Sequence, residues 1–229
     1  MSEYLLINIL TILIPLIFSF EKNLKFYKNI LPVGTAVLIV GGIYILWDVI
    51  ATWRGDWSFN PEFLLGSQIF NLPLEEILFF LTVPYASIFI YETFKFYLKD
   101  QPIKFKLYIY IVVSVLFITS ALIWNNQYYT FTVLLFCALF FVLASLTFSN
   151  ILRSSVYWIW IFFCFIPFFI VNYFLTSLPI VLYNPDAIWG IRITTIPFED
   201  FFYSFSMLSL YLLIYLLAKQ KWQKLKASR

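Results

Sequence analysis

Two pairs of acids follow prolines in this sequence, Leu72-Pro73-Leu74-Glu75-Glu76 and Ile196-Pro197-Phe198-Glu199-Asp200. A carboxylic acid can release a proton, and a carboxylate beside it can take one back, which is general acid–base chemistry. Each pair opens an apolar stretch in a chain that carries little charge. Ionisable groups in membrane helices are costly, so such groups mark a functional site by default. Aromatic, apolar surroundings favour the neutral form of a carboxyl group through desolvation, and a neighbouring carboxylate adds to that. Proline in the first turn and acids near a helix N-terminus also suit a plain helix start. Duplication in one register is what favours the site.

Other chemistries lack their residues. The chain has no histidine, which removes a His-based triad, a His metal site and a His proton relay. Its six glycines form neither G-x-G-x-x-G nor a P-loop, so no nucleotide or flavin cofactor is expected. No D-D-x-x-D cluster is present to hold Mg²⁺ and a diphosphate, and the last apolar stretch has no lysine before Lys219 for a Schiff base. No metal is expected. Cys137 and Cys164 lie inside apolar stretches and read as small packing residues.

The elements around the acids come from the composition. Of 229 residues, 62% are hydrophobic and 12% charged, with a mean hydropathy of +0.89. A soluble domain would expose more charge, so the fold class expected is all-α integral membrane. A span takes about 20 mostly apolar residues. Uncharged stretches then give seven transmembrane helices, at 4–20, 30–49, 73–97, 107–124, 128–148, 155–178 and 197–218. Helix 1 has Glu3 rather than a basic leader and no evident cleavage site, and is expected to be a retained span. Thirteen of the fifteen basic residues fall on one side: Lys22, Lys25, Lys28, Lys95, Lys99, Lys104, Lys106, Arg153, Lys219, Lys221, Lys224, Lys226 and Arg229. Only Arg54 and Arg192 fall on the other. The positive-inside rule then puts the N-terminus outside and the C-terminus in the cytoplasm. The net charge of +3 reports topology and contact with membrane lipid, not nucleic acid.

A shift of 124 residues superposes the two halves without gaps. Asn60-Pro61 meets Asn184-Pro185, Gly66 meets Gly190, Pro73 meets Pro197, Glu75 meets Glu199 and Glu76 meets Asp200. Tyr4 meets Tyr128, Asp48 meets Asn172 and Tyr91 meets Tyr215. The pattern N-P-[ED]-x3-G-x2-I-x2-[LI]-P-x-E-[ED] defines a three-helix unit, helices 1–3 and 5–7, with helix 4 as the link. The divisions are 1–100, 101–127 and 128–229. One linking span places the two units the same way up, as parallel repeats, with both acid pairs at one depth.

Aromatic residues make up 23% of the chain, enough to wall a dry cavity whose ring faces stabilise a cation. Tyr203 lies one turn after Glu199 and can hydrogen-bond into the site. Trp53 and Trp57 sit near the first acid pair, as substrate contacts or interface anchors. Asp48 and Asn172 recur at one depth, either bonding the opposing motif or capping a helix end. Glu92 and Lys95 read as a surface pair worth little.

At these motifs the chain resembles the integral-membrane lycopene cyclases in their fused form. The residues that carry the resemblance are Trp47-Asp48, Trp57-x-Phe59-Asn60-Pro61, Asn71-Leu72-Pro73-Leu74-Glu75-Glu76 with Leu78-Phe79-Phe80, and Gly190-Ile191-Arg192-x-x-Thr195-Ile196-Pro197-x-Glu199-Asp200-x-Phe202-Tyr203. The resemblance implies a multi-pass protein of a bacterial- or archaeal-type cell membrane that acts on lycopene without a cofactor. An acyclic end group would be protonated, closed to a six-membered ring and deprotonated to a β-ionone ring. Glu75 and Glu199 are the expected principal acid and base, with Glu76 and Asp200 tuning or sharing the proton. Glu75→Gln and Glu199→Gln are expected to abolish cyclisation. Asp48, Asn172, Tyr203, Trp53, Trp57, Asn60, Asn184 and Arg192 are the candidate substrate contacts. A carotenoid hydratase or an ε- or γ-forming cyclase would start from the same cation. A proton-coupled transporter shares the parallel repeats, but helices 5 to 7 lack charged residues on the path from Asp200 to Lys219.

Overall fold

A computed structural model describes residues 1–227, so Arg229 lies outside the described residues. The chain is mostly helical. Seven long helices run in order: α1 (Glu3–Phe18), α2 (Phe26–Arg54), α3 (Leu74–Tyr97), α4 (Tyr108–Ile123), α5 (Tyr128–Thr147), α6 (Ser155–Ser177) and α7 (Phe198–Ala227). Five of them, α2, α3, α5, α6 and α7, are long and apolar enough to cross a membrane. The other two, α1 and α4, are apolar helices of 16 residues each, shorter than the sequence predicts. α7 continues nine residues past the expected end, because the Lys- and Gln-rich run after Ala218 is made of good helix formers.

The expectation of an all-α chain needs one correction. Three two-stranded β units lie at the acid end of the bundle. β2 (Gln68–Ile69) pairs with β3 (Leu72–Pro73), and β5 (Arg192–Ile193) pairs with β6 (Ile196–Pro197). These two hairpins match at the 124-residue shift, including left-handed Phe70 and Thr194 at their tips and left-handed Gly66 and Gly190 before them. Glycine adopts that backbone without the cost of a Cβ.

The third unit joins the repeats. β1 (Trp57–Phe59) pairs antiparallel with β4 (Val181–Tyr183), with Ser58 opposite Leu182, its own equivalent. Asn60 N–H donates to the Ile180 carbonyl, and Asn184 N–H donates to the Asp56 carbonyl, both at 2.9 Å. Equivalent segments that contact each other reciprocally make an isologous joint, so a pseudo-two-fold axis passes through this ladder. The helices follow it: α1 packs on α3 as α5 packs on α7, and α2 packs on α7 as α6 packs on α3, with α4 lying along α5.

Proline and glycine set the close contacts between repeats. Pro84 lies inside α3, where its ring removes the bond to the Phe80 carbonyl. The Tyr211 hydroxyl donates to that carbonyl at 2.9 Å, so the freed group is satisfied inside the bundle. Tyr211 gets there across Gly41, where an added Cβ would lie 2.8 Å from its hydroxyl. Gly41 ends a π-helical turn at Val37–Gly41 of α2.

Glu92 is a second correction. It is buried, accepts from the Tyr215 hydroxyl at 2.8 Å and pairs with Lys219 at 2.7 Å. The link ties α3 to α7, whereas local spacing suggested Lys95. Cys137 and Cys164 are buried and free.

Candidate active site

Each acid pair starts its helix directly after a hairpin, and the two members of a pair point different ways. Successive helical residues are turned by about 100°. The first member faces back into its own turn. Glu75 accepts from Leu65 N–H at 2.6 Å and from the Ser2 hydroxyl at 2.7 Å through one oxygen. Glu199 accepts from Trp189 N–H at 2.5 Å and from the Thr130 hydroxyl at 2.8 Å, again through one oxygen. Leu65 and Trp189 are equivalent at the 124-residue shift, so the device is duplicated. In both residues Oε2 is buried with no hydrogen-bond partner among the described residues.

The second member of each pair faces a cavity of about 670 Å³ between α1 and α3 on one side and α6 and α7 on the other. Glu76 and Asp200 both line it, together with Asp48 from α2. The Tyr4 hydroxyl donates to Glu76 Oε2. Asp200 receives two hydroxyl donors, Tyr129 at 2.6 Å and Tyr183 at 2.9 Å. Asp48 accepts from Trp57 Nε1 at 2.8 Å, and its Oδ2 is buried with no hydrogen-bond partner among the described residues. Asp48 and Glu76 line the same cavity, one from α2 and one from α3. Two carboxyl groups set in one apolar cavity favour sharing a proton over ionising together.

The two halves of the site are therefore unequal despite the repeat. Asn172 stands where Asp48 has its equivalent, and it lines the cavity while donating to the Phe168 carbonyl of its own helix. Tyr183 has Phe59 as its equivalent, which carries no hydroxyl. The first half brings two acids to the cavity, Asp48 and Glu76, and the second brings one, Asp200, with two tyrosine donors.

Aromatic rings enclose the acids. The rings of Trp57 and Tyr129 lie 5.0 Å apart, those of Tyr129 and Tyr183 5.8 Å, and those of Tyr129 and Tyr203 6.3 Å. Away from the acids the lining is almost wholly apolar. It reaches Ser87 on α3, eleven residues beyond Glu76, a rise of about 16 Å.

Among the other sequence candidates, Trp57, Tyr203, Asp48 and Asn172 line the cavity. Trp53 does not, being 85% exposed on the outer surface of α2. Asn60 and Asn184 cap the short 3₁₀ turns that follow them, accepting from Glu62 N–H and Asp186 N–H at 3.1 and 3.0 Å. Arg192 is exposed and donates to the Thr195 carbonyl across its hairpin. None of these four lines the cavity, although the Arg192 guanidinium lies 5.8 Å over the ring of Tyr183, which does.

Sequence reasoning missed Tyr129 and Tyr183. It matched Tyr4 to Tyr128, yet Tyr129 makes the equivalent bond and Tyr128 is exposed beneath Arg54. The buried positions of α1 (Tyr4, Asn8, Pro15) and Ser19 correspond to Tyr129, Val133, Phe140 and Ala144, a shift of 125 throughout. The first helix of the second repeat is thus slipped by one residue. A comparison of helical faces, rather than of identities, would have found the slip.

No curated protein and no solved structure matches this chain. One family does. The family model described as Lycopene cyclase matches residues 2–94 and, a second time, residues 126–218. The two matches start and end 124 residues apart, as the acid pairs and hairpins do, and between them they take in every carboxyl group of the cavity. The protein belongs to the lycopene cyclase family and is an enzyme of carotenoid biosynthesis in its fused, two-repeat form.

Proposed function

We propose that the chain converts acyclic end groups of lycopene to β-ionone rings, with Glu76 and Asp48 as the proton-donating pair and Asp200 as the proton acceptor. The observation that carries this reading is that carboxyl groups from both repeats meet in one apolar, aromatic-walled cavity. Glu76 delivers the proton shared with Asp48 to the terminal double bond. The tertiary cation is attacked by the next double bond, and the ring closes. Asp200, held by Tyr129 and Tyr183, removes a ring proton beside the new cationic carbon. One proton enters and one leaves, so the reaction is an isomerisation without redox change. Ring faces of Trp57, Tyr129 and Tyr203 offer the cation about 2 kcal/mol or more each in a dry site.

In this reading Glu75 and Glu199 are positioning residues. They brace the turn that aims the neighbouring acid, and do not transfer the proton themselves. That exchanges the roles expected from the sequence. Expression in a lycopene-producing host, with chromatography of the pigments, tests the function. β-Ringed carotenes are expected. Lycopene left unchanged would overturn the cyclase reading, and ε-ringed, γ-ringed or hydrated products would reassign it within carotenoid end-group chemistry.

We infer further that all seven helices cross the membrane and that the divisions are 1–100, 101–127 and 128–229, with the N-terminus outside. The lysine distribution and the reciprocal ladder support two units set the same way up. A fluorescent protein that matures only in the cytoplasm, fused after Arg229, should fluoresce; a dark fusion present in the membrane would reverse the topology.

A further inference from the structure

We propose that the acid chamber opens to only one carotenoid arm, its symmetry mate being closed by Tyr44, Trp47 and Phe136, so that the enzyme rings one end group per binding event. The proposal rests on the carotenoid reading above. A pseudo-two-fold fold should give two equivalent arms leaving the shared chamber. The open arm runs between α1 and α3 on one side and α6 and α7 on the other, past Thr11, Phe168 and Val171. Its mate would run between α5 and α7 on one side and α2 and α3 on the other.

The equivalent residues close that mate. Val171 is replaced by Trp47 and Phe168 by Tyr44, at the 124-residue shift. Thr11 is replaced by Phe136, at the 125-residue shift that holds for this helix. The three rings fill the space their counterparts leave. Trp47 stacks on Phe136 at 5.0 Å, and Tyr44 meets Phe136 at 4.7 Å. Tyr44 is fully buried and its hydroxyl shares a 2.9 Å bond with Ser206. Deeper along the same arm, Ser87 of the open side is matched by Tyr211, which crosses to Gly41 and the Phe80 carbonyl. Each of these four changes substitutes a ring for a smaller group or adds a bonded hydroxyl.

The open arm leads sideways. Leu10 and Ile14 of α1 and Ile166 and Ile170 of α6 line it and are also exposed on the outer surface of the bundle. A linear polyene entering from the bilayer can present one end to Glu76 and Asp200 while the rest lies along the apolar arm and in lipid. Its other end has no route to the acids. It must leave, turn and re-enter before a second ring can form.

Purified protein in vesicles with lycopene in large molar excess tests this. Early ringed product should be almost entirely monocyclic, with the bicyclic carotene appearing after a lag; bicyclic carotene predominating from the start would overturn the single arm. A second measurement does not need turnover. Carotenoid co-purifying with the chain in detergent should number one per chain, and two per chain would overturn the proposal. Trp47→Val with Phe136→Thr, which copies the open arm, should admit a second carotenoid; continued binding of one by the folded variant would overturn the plug. One bound carotenoid with no ring formed would sink the cyclase reading and leave the single arm standing.

Discussion

Glu76→Gln is expected to lower ring formation by about 10²–10⁴-fold, the range for loss of a positioned general acid. Glutamine keeps the length of the side chain and can still accept from Tyr4, so the variant should insert and pack as the parent does. What it loses is the ionisable group that, in the proposed mechanism, delivers the proton from beside Asp48. No other group replaces it, since Asn172 stands opposite Asp48 in the second repeat and cannot ionise. Asp200→Asn should fail at the other end of the reaction, because an amide cannot accept the ring proton even with Tyr129 and Tyr183 in place. Chromatography of pigments from lycopene-accumulating cells, normalised to membrane-inserted protein, reads both. Wild-type ring levels in Asp200→Asn would remove it from the mechanism.

Glu75→Ala and Glu199→Ala should act on folding instead. Each removes the acceptor of one part-buried backbone N–H and one buried hydroxyl: Leu65 N–H and the Ser2 hydroxyl in one case, Trp189 N–H and the Thr130 hydroxyl in the other. A buried donor left unpaired costs about 1–3 kcal/mol, so each substitution should cost at least that much. That is a large share of the marginal stability of a typical domain. The variants should therefore reach the membrane in small amounts or unfold at lower temperature in detergent. Glu75→Gln keeps the accepting oxygen and places its amide nitrogen where Oε2 already lacks a partner. It should give less protein than the parent but still make rings. Fluorescence-detected size exclusion after heating measures the first effect, and pigment chromatography the second. A stable Glu75→Ala protein, together with a Glu75→Gln protein that makes no rings, would overturn the bracing role of Glu75.

Much of this was legible in the sequence. The helices that the two acid pairs open start at Leu74 and Phe198, one residue past the prolines that predicted them. Proline fixes the backbone there and has no N–H to lose, so the start is written locally. The duplication was legible because turns need particular residues: Asn-Pro for the 3₁₀ caps and a left-handed glycine before each hairpin. Which acid of a pair faces the cavity was not legible. That depends on where Leu65 N–H and Trp189 N–H come to lie after the turn folds back, and sequence spacing carries no such information. The partner of Glu92 escaped for a related reason. Lys95 is near in sequence, but α7 brings Tyr215 and Lys219 to it from the other repeat. The choice of Tyr129 over Tyr128 turns on one residue of helical phase, which gapless matching of identities overrides.

The most direct test sets Glu76→Gln beside Glu75→Gln in the same lycopene-producing cells, with ringed carotene measured per unit of membrane-inserted protein. Adjacent carboxyl groups on one helical turn differ here in which way they face. Ring formation should be lost in Glu76→Gln and persist in Glu75→Gln. Wild-type ring formation in Glu76→Gln, with loss in Glu75→Gln, would contradict the proposed roles.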